Sequence, residues 1–336
     1  MSRSFESPLS RRAFLAGAAA AGFALRSRAF AADPAPRAQI AITLDLEMSA
    51  EYPQRGMTEW NFEKGNLDQA TKDYSVKAAK VVAERGGRIH FFLVGRVLEH
   101  PSVDWLKELI DGGHPIGNHT YDHVYLLAKT PEETQFRFRR SPWLIEGKSV
   151  DEILRTNIRL TTDAMRRRLG IEPAGFRTPG GFQTALDGRP DLQQMLKEEG
   201  FTWVSSRYPA HKVEMTDTGP APITYEQITT ALPKAQPAFY PDGLLEIPMS
   251  PISDVGAFRS HRWKLDWFLE AIRIGVKFAI DHGLMFDFLA HPSCLGIEDP
   301  ECASLKLICD LVQESNGKAE LVTLNQIAER QFATRK

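Results

Sequence analysis

The sequence predicts a single α/β domain in which a parallel sheet closes into a barrel covered by helices. Three observations lead there. Short apolar runs alternate with segments of helical spacing from residue 39 onward, the order that builds parallel sheets. A chain of 336 residues, 43% hydrophobic and 25% charged, can hold these runs around one core. Reactive side chains follow several of the runs directly, where parallel α/β folds collect their active sites.

The first residues are of another kind. Ser10-Arg11-Arg12-Ala13-Phe14-Leu15 has the form of a twin-arginine export signal. An uncharged Ala/Gly-rich stretch follows over 13–25, too short to span a bilayer of about 30 Å. Ala29-Phe30-Ala31 offers a cleavage site before Ala32. Residues 1–31 are therefore expected to be removed. The mature chain, 32–336, is expected in a bacterial periplasm or outside the cell, with the twin-arginine machinery as a partner. The net charge of −2, with both signs interspersed, gives no electrostatic case for nucleic-acid binding.

The elements follow in order. Residues 39–44 read as a buried strand. A helix over 68–85 stops at Gly86-Gly87, a strand covers 89–94, and a helix over 105–111 stops at Gly112-Gly113. A short strand over 116–118 runs into a histidine cluster. A long charged helix over 149–169 ends at Gly170, and 175–177 is another strand end. Helix 192–199 and strand 201–204 come next, then a Pro-rich, irregular excursion over about 207–242. Strands over 244–247 and 285–289 flank a helix over 265–282, and a last strand over 320–323 precedes a terminal helix. Cys294, Cys302 and Cys309 match no zinc spacing; a Cys294–Cys302 disulfide and three buried thiols are both open readings.

The reactive residues sit at four strand ends. If His119-Thr120-Tyr121-Asp122-His123 enters a helix, its two imidazoles share a face and can grip one divalent metal. In Asp45-Leu46-Glu47 the extended chain sends both carboxylates to one side and Leu46 to the other. Arg177 and His291 each follow a further apolar run, and Glu246 marks another strand end that can reach the same pocket. Trp203, Tyr208, Trp263 and Trp267 are either stacking platforms for sugar rings or buried aromatics.

These segments carry a resemblance. Gly112 to His123, reading GGHPIGNHTYDH, resembles the signature of the NodB-type polysaccharide deacetylases, carbohydrate esterase family 4. Phe91-Phe92-Leu93-Val94-Gly95, Phe176-Arg177-Thr178-Pro179-Gly180-Gly181, Gly200 to Ser206 and Leu289-Ala290-His291-Pro292 resemble further family motifs, in family order. The resemblance implies a distorted (β/α)7 barrel and hydrolysis of acetyl groups from an N-acetylated or O-acetylated glycan, peptidoglycan or an exopolysaccharide. It implies Asp45 as general base oriented by Arg177 and His291 as general acid; for the partner of His291 the sequence leaves Asp287 and Asp254 open. It also implies Glu47, His119 and His123 as ligands of a divalent metal, zinc being the candidate, with Gly180 at the oxyanion. One departure stands out: Leu46 occupies the place of the family's usual metal-binding Asp, and strand periodicity lets Glu47 substitute, in a D-x-E variant of the motif. A metal-independent amidohydrolase resembling allantoinase and a non-catalytic sugar-binding protein are the competing readings.

Overall fold

The first apolar run becomes strand β1 (Ala38–Leu46), in which every residue but Gln39 is buried. The structure, a computed structural model, describes residues 37–48 and 64–335; the expected export signal lies outside the described residues. Six further strands line up parallel to β1: β2 (Ile89–Leu93), β3 (Ile116–Asn118), β4 (Phe176–Phe182), β5 (Trp203–Arg207), β6 (Leu245–Glu246) and β7 (Met285–Ala290). Their spatial order is β7-β1-β2-β3-β4-β5-β6. A short β8 (Ala319–Leu321) adds to the start of β1, and Ala238–Phe239 pairs antiparallel with β6. At the β6–β7 seam a single residue bridges. Ser250 N donates to Asp287 O (3.0 Å), and Ser250 Oγ accepts from Asp287 N (2.9 Å). This is the distorted (β/α)7 barrel that the sequence predicts.

Helices cover the outside: α1 (Gln69–Ala83), α2 (Asp104–Asp111), α3 (Val150–Leu169), α4 (Pro190–Glu198), α5 (Pro222–Ala231), α6 (Leu265–His282), α7 (Pro292–Glu298), α8 (Ala303–Glu314) and α9 (Leu324–Thr334). Their ends have local causes. Asp68 caps α1, and Ser149 with Glu152 forms a capping box on α3, satisfying amide donors that a helix start leaves unpaired. Gly170 and Gly283 end α3 and α6 in the left-handed region.

The alternation along β1 divides the core. Ile40, Ile42, Leu44 and Leu46 point outward into the large cluster under the helices. Ala41 points inward, where Phe92, Trp203, Leu245 and Met285 fill the barrel floor against Leu324 and Ile327 of α9. Thr43, Asp45 and Glu47 continue that inward row above the floor, so the barrel mouth receives the acids while Leu46 packs away.

Two expectations are corrected here. The excursion over 207–242 contains α5 and a two-residue antiparallel ladder, Met215–Thr216 with Gly219–Pro220. Its prolines do not prevent the helix, because Pro222 stands in the first turn, where a missing N–H costs nothing. The Cys294–Cys302 disulfide does not form: all three cysteines are free and buried.

Candidate active site

Arg177, in β4, is wholly buried inside the barrel and uses every N–H it has. Nη1 donates to Asp45 Oδ1 (3.0 Å) and Thr43 Oγ1 (2.8 Å), and Nη2 to Asp287 Oδ2 (2.6 Å) and Ser205 Oγ (3.1 Å). Nε donates to Ser205 Oγ (3.3 Å), and the guanidinium lies 4.3 Å over the Phe92 ring. Such a clamp leaves Arg177 one geometry and fixes Asp45 through it. Asp287 shares the guanidinium; burial pushes its carboxyl up to about 6, although Arg177 pulls the other way.

The histidine segment does not become a helix, which corrects the expected i, i+4 geometry. Thr120 and His123 have φ of 58° and 59°. Asn118 causes the tight turn: its Oδ1 accepts from Thr120 N (2.8 Å), and its Nδ2 is tied to Ile158 O (2.9 Å) on α3. The turn still brings the two imidazoles together, with ring centroids 4.9 Å apart. His123 Nε2 lies 2.5 Å from Glu47 Oε2, and His119 Nε2 lies 3.4 Å from the same oxygen.

These three side chains fit a metal ion. Their ligand atoms lie within 4.8 Å of one another. His119 Nδ1 is 3.0 Å from Arg177 O; a carbonyl only accepts, so Nδ1 carries the proton and Nε2 a lone pair. That Nε2 is buried without a hydrogen-bond partner among the described residues and faces a carboxylate, an arrangement that a cation between the two satisfies. Burial lowers His123 to about 4 despite Glu47 beside it, so its ring is neutral, as a ligand must be. Burial alone would raise Glu47, but Lys64, at 2.7 Å from Oε1, and both histidines hold it well below the usual carboxylate range.

His291 follows β7 directly. Its Nδ1 is 2.8 Å from Asp254 Oδ1, and its backbone N donates to Asp254 Oδ2 (2.7 Å). Of the two partners considered from sequence, Asp254 is the one in contact; Asp287 serves Arg177 instead. Burial would lower His291, yet Asp254, Glu47 and Asp45 outweigh it and raise its pKa. A cavity of about 210 Å³ is lined by Asp45, Glu47, His119, His123, Gly180 and His291, with Tyr208 on its wall. Glu246 is not part of it, a second correction. Its carboxylate accepts from Ser206 N (2.8 Å), Ser206 Oγ (2.6 Å), Arg207 N (2.7 Å) and Tyr240 Oη (2.8 Å), and so it pins β5 to β6. Sequence reasoning missed Lys64, which lies between the motifs it used.

Residues 56–202 match the sequence pattern of the polysaccharide deacetylase family. The chain is a polysaccharide-deacetylase-like hydrolase. The matched span holds His119, His123, Arg177 and Gly180; Asp45 and Glu47 precede it and His291 follows it. No curated protein matches the chain. Among solved structures, the deacetylase-type barrel is similar to a putative polysaccharide deacetylase from Mycobacterium smegmatis, with 17% identity, TM-score 0.59, and coverage of 90% of this chain and 93% of that one. It is similar to Puue allantoinase, with 14% identity, TM-score 0.55 and coverage of 88% and 90%. It is also similar to a probable polysaccharide deacetylase from Pseudomonas aeruginosa PAO1, with 13% identity, TM-score 0.53 and coverage of 87% and 89%. At these identities the likeness is one of fold.

Proposed function

We propose that the protein removes acetyl groups from an N-acetylated glycan, with Asp45 as general base and His291 as general acid. The observation that carries this reading is the disposition of one cavity. The clamped carboxylate of Asp45 stands on one wall, the Asp254-backed imidazole of His291 on another, and the Glu47–His119–His123 cluster between them. A divalent cation held by that cluster, zinc being the candidate, would supply Lewis-acid activation of a water and of the acetyl carbonyl. Asp45, fixed by Arg177, takes the proton of the attacking water through its free oxygen. Protonated His291, its Nδ1–H directed to Asp254, delivers a proton from Nε2 to the departing amine nitrogen. Gly180, with φ of 77° and open space where a Cβ would stand, leaves room for the acetyl group beside the cluster. An O-acetyl substrate would need no proton of comparable importance at its leaving oxygen, so the Asp254–His291 pair favours the amide.

One observation supports a second reading, a metal-independent amidohydrolase: the Lys64 ammonium already neutralises Glu47 at 2.7 Å. The two separate in one assay, acetate release from chito-oligosaccharide by purified protein with and without chelator, together with the bound metal content. Activity lost on chelation and restored by zinc is expected. Activity that survives both chelation and Glu47→Ala assigns the site to the second reading, and sugar binding without acetate release removes both.

We further propose that residues 1–31 form a cleaved twin-arginine signal, placing the barrel of 32–336 in the periplasm or outside the cell, where peptidoglycan or an exopolysaccharide is at hand. An N-terminus at Ala32 in periplasmic protein, and cytoplasmic retention on replacing Arg11 and Arg12 with Lys, are the expected results.

A further inference from the structure

Arg177 reaches from β4 across the barrel to two carboxylates at once. Its Nη1 lies 3.0 Å from Asp45 Oδ1, at the end of β1, and its Nη2 lies 2.6 Å from Asp287 Oδ2, on β7. All three side chains are buried, so one positive charge stands against two acids away from water. A neutral acceptor would satisfy Nη2 at lower cost, and Asp287 Oδ1 gains no hydrogen bond from the described residues. Stability alone therefore gives no reason for a carboxylate at this position.

A guanidinium left with a single carboxylate tends to close on it as a fork, with parallel N–H bonds to both oxygens. On Asp45 such a fork would occupy both oxygens, and a base needs one of them open. The fork does not close here. Nη1 alone donates to Asp45, at Oδ1, and among the described residues Oδ2 accepts no hydrogen bond. Asp287 makes the shortest contact of the guanidinium, whereas Ser205 Oγ is neutral, shared between Nη2 and Nε, and more distant at 3.1 and 3.3 Å. The backbone fixes Asp287 in turn: it lies level with Ala41, nearer the barrel floor than Asp45, and is tied to Ser250 at the β6–β7 seam. We propose that Asp287 is a positioning residue of the reaction: it draws Nη2 of Arg177 down toward the floor, so that the arginine orients Asp45 by one oxygen and leaves the other to the attacking water. The inference rests on the deacetylase reading, in which Asp45 is the base.

The test measures acetate release from chito-oligosaccharide, with zinc supplied, by the wild type, Asp287→Ala and Asp287→Asn. Asp287→Ala frees Nη2 and is expected to lower kcat about 10–100-fold, while KM and zinc affinity by calorimetry stay within about threefold of the wild type. In Asp287→Asn the amide oxygen still accepts from Nη2, and kcat is expected to stay within about threefold. In an Asp45→Asn background no base is left to capture, so Asp287→Ala should cost nothing further. A residue that merely supports the barrel would lower kcat by the same factor in both backgrounds, and that result overturns the proposal. So does an unchanged kcat in Asp287→Ala, or a loss in Asp287→Asn as large as in Asp287→Ala. Asp287→Leu, which fills the space left by the carboxylate, takes the place of Asp287→Ala if the latter does not fold; failure of both to fold assigns Asp287 to stability and overturns its positioning role. If the wild type releases no acetate, the deacetylase reading fails, and the crystal structure of the variant decides the clamp. Nη1 and Nη2 both on the Asp45 carboxylate uphold it, and an Nη2 still turned away from Asp45 overturns it.

Discussion

The end of β1 and the end of β6 each carry a buried glutamate, and their surroundings are opposite in kind. Around Glu246 stand four donors, all neutral, two backbone amides and two hydroxyls. Among the described residues nothing cationic offsets the loss of water, and burial raises its pKa. Around Glu47 stand Lys64 and two imidazoles, which overcome burial and drive its pKa down. The set around Glu246 is closed, whereas beside Glu47 the lone pair of His119 Nε2 has no hydrogen-bond partner among the described residues. A buried carboxylate with complete neutral partners holds strands together. One among incomplete, basic partners is arranged to receive something.

The comparison can be broken by mutation, and the largest effect is expected at its neighbour Asp45. Asp45→Asn removes the base while keeping the Arg177 contact, and should lower kcat about 10²–10⁴-fold in acetate release with the melting temperature little changed. A loss under tenfold would move the base elsewhere. Next come the two glutamates themselves. Glu47→Gln should weaken zinc binding, read by calorimetry, at least about tenfold and, by removing the carboxylate beside the Lys64 ammonium, cost stability as well. Glu246→Gln should cost stability alone: its amide would face donors, costing about 2–3 kcal/mol, read as a melting temperature lower by about 5 °C, with zinc affinity kept. Equal behaviour of the two variants in both assays would erase the distinction. The smallest effect is on pH dependence. His291 acts protonated, and its raised pKa means that the acid form is lost only as pH climbs through it. Asp254→Asn removes the first-named of the charges that raise it, so the alkaline limb of kcat/KM should move to lower pH, while Glu246→Gln leaves it in place. A limb that stays put in Asp254→Asn belongs to some other group.

Much of the barrel was legible because its signals are local. The helices over 149–169 and 265–282 announce their own ends through Ser149, Gly170 and Gly283. Strand alternation was enough to set Asp45 and Glu47 on one face. What escaped depends on contacts distant in sequence. The turn at His119 looks helical by spacing, and only the tie between Asn118 and α3, 40 residues on, reveals the bend. Choosing Asp254 over Asp287 as the partner of His291 required knowing that Arg177 claims Asp287, across 110 residues. Glu246 looked like a pocket residue because it ends a strand, and the hydroxyl of Tyr240 that helps to close its set lies in a segment that read as irregular.

Thr43 donates to the carbonyl of Phe288 across 245 residues, where β1 and β7 lie side by side. The proposed base, Asp45, hangs from the first of these strands, and the proposed acid, His291, follows the other. Pairings so distant in the chain are slow to form, since a long loop must close before they repay it. Catalytic competence therefore arrives late in the life of each molecule. A chain lacking its final fifty residues would end at Phe286 and carry the histidine cluster, but neither His291 nor most of β7 would yet have been made. Under the proposed roles, synthesis itself acts as a timer on hydrolysis, because a polypeptide still short of His291 lacks its proton donor.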